Sequence, residues 1–262
     1  MATRNFYQYL SQLALLAGLG SCTVYTPMQP TVSTVSQQGQ LELTGSLQPN
    51  TRLEGTAVYS PLPHLLVTAA GSFQPKLAEN TYATTRQWEA GLGSYVHLSP
   101  RWVLTGLAGY GAATAQKALA EFPIGGINTY HARYSKVFGQ LSLAHERQAQ
   151  SFGLVYRLAN VRYGQLEYRF GSSPEVLAIP MQNAFRHEGL AFYRVSLDPR
   201  DRWQLQATAG LSVAQQPAPL VAPEGPGRND YYAENREARK ASRPVPMVSL
   251  GVVFRPQFGR DK

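Results

Sequence analysis

Residues 203–212 alternate without a break, with Trp203, Leu205, Ala207, Ala209 and Leu211 on one parity and Gln204, Gln206, Thr208, Gly210 and Ser212 on the other. A two-residue period marks an extended strand with one apolar and one wettable face. This pattern constrains the chain more than any other feature, because it recurs along most of its length. Leu41, Leu43 and Leu47 oppose Glu42, Thr44 and Ser46; Val248, Leu250, Val252 and Phe254 oppose Met247, Ser249, Gly251 and Val253. A soluble sandwich carries the same alternation. Period alone therefore leaves a membrane barrel and a soluble β protein both open, and the connections must discriminate.

The alternation predicts ten strands, at 40–48, 51–60, 64–73, 85–98, 101–114, 129–145, 150–163, 186–197, 202–214 and 245–255. Short polar or proline turns follow every second strand: Ser60-Pro61-Leu62-Pro63, Ser99-Pro100, Glu146-Arg147-Gln148-Ala149 and Asp198-Pro199-Arg200-Asp201. Long connections, 74–84, 115–128, 164–185 and 215–244, follow the others; the first hairpin, Gln48-Pro49-Asn50-Thr51, is the one short link among them. In an up-and-down meander this parity gathers the short turns at one end and the long loops at the other. Outer-membrane barrels have that asymmetry, with short periplasmic turns, long extracellular loops and an even strand number. The fold expected is an all-β, up-and-down antiparallel transmembrane barrel of about ten strands.

Residues 1–21 carry Arg4 and then an apolar run, Leu10 and Leu13 to Ala17, the layout of a secretory signal peptide. Leu19-Gly20-Ser21-Cys22 resembles the bacterial lipobox, which implies cleavage before Cys22 and diacylglycerol on its thiol. Cys22 is the single cysteine, so a disulfide within the chain is excluded; a plain signal followed by a free thiol is the other reading. The division expected is a signal peptide at 1–21, a flexible tether at 22–39 rich in Pro, Ser, Thr and Gln, a barrel at 40–256 and a tail at 257–262. The tether is expected to add little to the core. With both chain ends on the short-turn side, a lipid on Cys22 is expected to enter the outer membrane from the periplasm.

Aromatic girdles are a further mark of such barrels. On the apolar parity, Tyr59, Trp102, Phe152, Trp203 and Phe254 fall near the short-turn end, and Phe73, Trp88 and Tyr110 near the loop end. Glu54-Gly55-Thr56-Ala57-Val58-Tyr59-Ser60-Pro61, Trp88-Glu89-Ala90-Gly91-Leu92-Gly93-Ser94-Tyr95, Gly109-Tyr110-Gly111 and Ser249-Leu250-Gly251-Val252-Val253-Phe254-Arg255 resemble strand motifs of small lipobox-headed outer-membrane β-barrel proteins of Gram-negative bacteria. The resemblance implies a location and no reaction. It also implies that the barrel insertion machinery reads Phe254, although residues 256–262 extend beyond it where such barrels usually end.

The wettable parity carries Glu42, Glu54, Glu89, Arg157, Glu188 and Arg194. A lumen of about ten strands is narrow and largely filled by side chains, so charges there must pair, and an ion-pair network is expected. In β-strand 129–145 the parity is ambiguous, Lys136 and Gln140 arguing one way, Arg133 and Ser135 the other. A narrow channel lined by the same charges is one alternative. A lipid A-modifying barrel enzyme using His187 with Glu188, or His131 with Ser135, is a second, and a soluble periplasmic barrel lipoprotein a third. Catalytic residues, a metal site and a cofactor are not expected. His64 and His97, neighbours on adjacent strands, lack a third ligand. The net charge of +8 gathers partly in 228–243, with Arg228, Arg236, Arg239, Lys240 and Arg243 and a short helix expected at 230–240. That loop could meet lipopolysaccharide phosphates. Partners expected are outer-membrane lipids and the insertion machinery, and no nucleic acid.

Overall fold

The structure is a computed structural model and describes residues 25–121, 126–147, 149–169, 171, 176–179, 183–215, 239 and 242–256. Eleven strands follow one another: β1 (Leu41–Leu47), β2 (Leu53–Tyr59), β3 (Leu66–Gln74), β4 (Tyr82–Ser99), β5 (Trp102–Glu121), β6 (Gly126–Arg147), β7 (Gln150–Arg169), β8 (Val176–Ala178), β9 (Asn183–Ser196), β10 (Trp203–Ala214) and β11 (Val245–Phe254). All but β8 pair antiparallel with their neighbours around a closed ring, β6–β7 and β1–β11 included. β8 is a three-residue spur on the loop end of β7, Tyr168 opposite Leu177. The barrel is therefore ten-stranded, sealed where Leu43–Leu47 of β1 lie against Leu250–Phe254 of β11.

The wall is inside out relative to a soluble protein. Arg52, Arg157, Arg186 and Arg194 head the largest fully buried side chains, while Leu47, Leu53, Leu92, Val137, Leu154 and Leu250 are each more than half exposed. Alternation sets which is which: along β10, Gln204, Gln206, Thr208 and Ser212 face in and Trp203, Leu205, Leu211 and Val213 face out. Trp203 to Val213 is a rise of about 25 Å once strand tilt is allowed for, the height of a membrane barrel's apolar band. Trp203, Phe152 and Tyr59 lie on its lower edge and Phe73, Trp88 and Tyr110 on its upper, all exposed. Lys136 and Gln140 are buried and Arg133 exposed, which fixes the parity of β6.

The wall is uneven. β1 and β2 have 7 residues each, whereas β4 to β7 have 18 to 22. Much of the expected loop 115–128 is strand: Ala115–Glu121 pairs with Gly126–Ala132. Its Ala-rich composition has little strand preference, and pairing with β6 overrides that. The expected loop 164–185 is likewise strand at its start and holds β8. Most of 215–244, with the expected helix, and the tail 257–262 lie outside the described residues.

Candidate functional site: the barrel interior

The expected tether is where the structure departs furthest from the sequence reading. Tyr25, Met28, Thr31, Val32, Ser33, Thr34 and Val35 are all buried, and their partners are inward side chains from around the wall. The segment runs through the barrel interior from the long-loop end to the short-turn end. Tyr25 lies beneath the rim of β9, its ring 4.2 Å from the Arg186 guanidinium and 5.3 Å from Tyr134, its hydroxyl donating to Glu188 Oε1 at 3.0 Å. At the other end the Gly39 amide donates to the Ser60 carbonyl, in the short turn after β2, at 2.7 Å. Three apolar clusters stack along this path, and each takes one residue of the segment. Tyr25 packs with Tyr130, Tyr134 and Tyr163; Val32 with Val155, Phe192 and Met247; Val35 with Val58, Leu66 and Val103.

A buried chain outside any sheet must find partners for its backbone elsewhere, and the wall supplies them. The Thr26 carbonyl accepts from Gln87 Nε2 (2.7 Å) and from the Tyr134 hydroxyl (3.2 Å). The Pro27 carbonyl accepts from Arg52 (2.6 Å) and the Val32 carbonyl from Arg194 (3.2 Å). Gln140 bonds both ways to Thr31, its Oε1 accepting the amide at 3.1 Å and its Nε2 donating to the carbonyl at 2.7 Å. Pro27 and Pro30 bring no amide donor that would need a partner. Composition that reads as a linker in water is thus compatible with a polar interior.

The six charged residues expected in the lumen all face inward and are buried. Arg194 grips Glu42 with two contacts of 3.0 Å and reaches Gln206 at 2.7 Å. Arg157 lies 3.2 Å from Glu89 and 3.7 Å from Glu188, and donates to Gln140 and the Met28 carbonyl. Glu54 joins neither group. It pairs with Arg52 at 2.8 Å and accepts from Gln48 and the Gln29 amide. Four further cations join them: Lys136, whose parity the sequence leaves ambiguous, and Arg52, Arg186 and Arg255, which the sequence reading does not single out. Lys136 pairs with Glu89, Arg52 with Glu54, Arg186 donates to Ser212 at 2.9 Å, and Arg255 holds Glu42 at 3.1 Å together with Glu146 and Asp201 at the short-turn end. Arg52 shares the inward parity of Glu54, and Arg186 that of Glu188; both fall within the expected strands 51–60 and 186–197, so the two-residue period alone finds them.

Between the clusters a hollow of about 20 Å³ beside Gln29, Pro30, Glu54 and Gln206 has room for about one water. A polar vestibule of about 530 Å³ opens at the short-turn end, lined by Arg101, Glu146, Ser151, Gln204 and Arg255, and ends on Arg194.

The histidines do not assemble a catalytic group with the partners considered for them. His187 faces outward, its Nδ1 2.7 Å from the Tyr156 hydroxyl, while Glu188 faces the lumen. His131 and Ser135 are four residues apart on one strand, about 13 Å. His64 and His97 flank the Tyr95 ring, at 5.3 and 6.0 Å. Among the described residues no group of three or more His, Cys, Asp or Glu side chains could hold a metal ion, and no helix is long and apolar enough to cross a membrane.

No protein-family model matches the chain, and no curated protein matches it in sequence. Solved structures do. The outer membrane protease OmpT from Escherichia coli superimposes with a TM-score of 0.53 at 8% identity, over 86% of this chain and 99% of that one. CarO2 of Acinetobacter baumannii gives 0.28 at 10% identity, over 84% and 100%. The first likeness shows that the fold is one found among outer-membrane barrels; protease activity belongs to OmpT.

Proposed function

We propose that this chain is an outer-membrane barrel lipoprotein with a filled lumen, serving as a structural or surface-interaction element. The observation that carries the reading is the inversion of the wall: paired arginines and glutamates inside, a continuous band of exposed Leu, Val, Trp and Tyr outside. Soluble monomers rarely expose apolar patches beyond a few hundred Å². This argues against a soluble periplasmic barrel. A bilayer covers such a band and tolerates no open sheet edge, and the closed ring leaves none.

The interior supports a plug over a channel. Each of Glu42, Glu54, Glu89 and Glu188 has a cation within 4.0 Å, and residues 25–36 occupy the axis. Cys22 would carry the lipid, outer-membrane lipids would be the first partners, and Phe254 would be read by the insertion machinery. Arg239 and Arg243 belong to the basic stretch 228–243 that would face lipopolysaccharide phosphates.

The test is the purified barrel in a planar bilayer. The wild type is expected to show little steady conductance, while deletion of residues 25–36 opens steady currents in protein that still migrates as a folded barrel on unboiled gels. Robust channels in the intact wild type would overturn the plug.

A further inference from the structure

We infer that the chain preceding Tyr25 leaves the barrel on the long-loop side, so that the mature N terminus is displayed on the outer face of the membrane. This rests on the outer-membrane reading above and reverses the side expected from the sequence. There, both chain ends were placed at the short-turn side because β1 begins there. That remains true of β1, but the sixteen residues before it, 25–40, turn back into the lumen and cross it.

The direction is fixed at both ends by described contacts. Tyr25 and Thr26 meet residues near the loop ends of two different strands: Arg186, three residues into β9; and, on β4, Thr85 near its start, whose Oγ1 lies 3.4 Å from Thr26 Oγ1, with Gln87 two residues further on. Val35 packs on Leu66 and Val103, which open β3 and β5 at the short-turn end. From Tyr25 to Cys22 is three residues, which reach about 10 Å at full extension. The short-turn end lies much further away, since the nine residues from Tyr25 to Thr34 are themselves spent in crossing. A second pass downward is also blocked. The space is taken by the three apolar clusters and by the charges of Glu42, Glu89, Arg157 and Arg194, whose displacement would leave buried groups without partners.

A lipid on Cys22 would then rest in the outer leaflet, beside the rim.

The experiment inserts a hydrophilic eight-residue epitope between Thr23 and Val24, and in a second variant between Gln38 and Gly39, where Gln38 is exposed at the short-turn end. Antibody should stain intact cells carrying the first insertion, and should stain the second only after the outer membrane is permeabilised. Staining of the first only after permeabilisation overturns the inference. Should that insertion prevent folding, Thr26→Cys with Thr85→Cys gives an independent reading. Oxidation should cross-link the two in the folded barrel, and a folded barrel that stays uncross-linked overturns the placement of Tyr25 and Thr26. Mass spectrometry of the N-terminal peptide separates the two ideas: surface staining with an unmodified Cys22 sinks the lipid anchor while supporting the outward exit.

Discussion

Replacing Arg157 by methionine is the sharpest probe of what the interior contributes. The side chain is fully buried and meets Glu89, Glu188, Gln140, the Met28 carbonyl and, 4.4 Å away, the Phe138 ring. Methionine keeps most of the stem, so the packing loss is small and the loss of charge dominates. Removing one partner of a buried pair costs about 3–5 kcal/mol, because the other charge is left without compensation. Glu89 keeps Lys136, and Glu188 keeps the Tyr25 and Ser212 hydroxyls, which points to the lower end, about 3 kcal/mol. Adding Glu188→Gln removes the stranded charge. The double variant should then be more stable than the two single losses summed by about 1–2 kcal/mol, the coupling of groups in one network. Urea unfolding in phospholipid vesicles, followed by tryptophan fluorescence, measures all three, with exposed Arg239→Ala as a control within about 0.5 kcal/mol of wild type. An Arg157→Met barrel as stable as that control, or additive losses in the double variant, would mean that water screens the lumen and that the paired-charge argument fails.

Gly153 faces inward where an added Cβ would lie 2.1 Å from the Leu143 carbonyl oxygen and 2.7 Å from the Phe192 ring; Gly153→Ala should cost about 1–3 kcal/mol by overpacking. Gly189→Ala, on the outer face with nothing within 4 Å, should be close to neutral in the same assay. The Trp203 amide, donating to Asp198 at 2.7 Å, and then Arg202 hold the Asp198 carboxyl below its usual range. A depressed folded-state value means its stabilisation is present above the ordinary carboxylate range and is lost as pH falls through the folded value. Asp198→Asn should therefore lower the unfolding midpoint at neutral pH, by a margin that closes on acidification; a margin independent of pH would refute the role given to the carboxylate.

The wall was legible because each strand repeats a two-residue rule that its neighbours enforce: Trp203 to Ser212 needs no tertiary information to be assigned faces. Glu42, Glu89, Arg157, Glu188 and Arg194 could be placed inward for that reason, although which acid meets which base depends on strand register, which the pattern does not encode. Two things were not legible. Ala115–Glu121 lacks alternation and is strand through pairing with β6. Residues 25–36 have no periodicity, because an extended chain in a lumen meets a different set of neighbours at every residue. Their sequence signal was inward amides on the wall, Gln87 and Gln140, which bond the segment's backbone.

The alternation that turns the wall inside out also governs the chain before it folds. Because strand residues alternate polar with apolar, mean hydropathy over the whole sequence is −0.25, although the barrel wears an outer belt of Leu, Val and Trp. A helical membrane protein carries its destination as long greasy runs that an inner-membrane translocon retains. Here the apolar outer surface is dispersed along the strands at every second residue, so it is complete only when β1 meets β11. On the outer-membrane reading proposed above, the polypeptide would cross one membrane as a water-compatible thread and become insoluble in water only on assembly in the next.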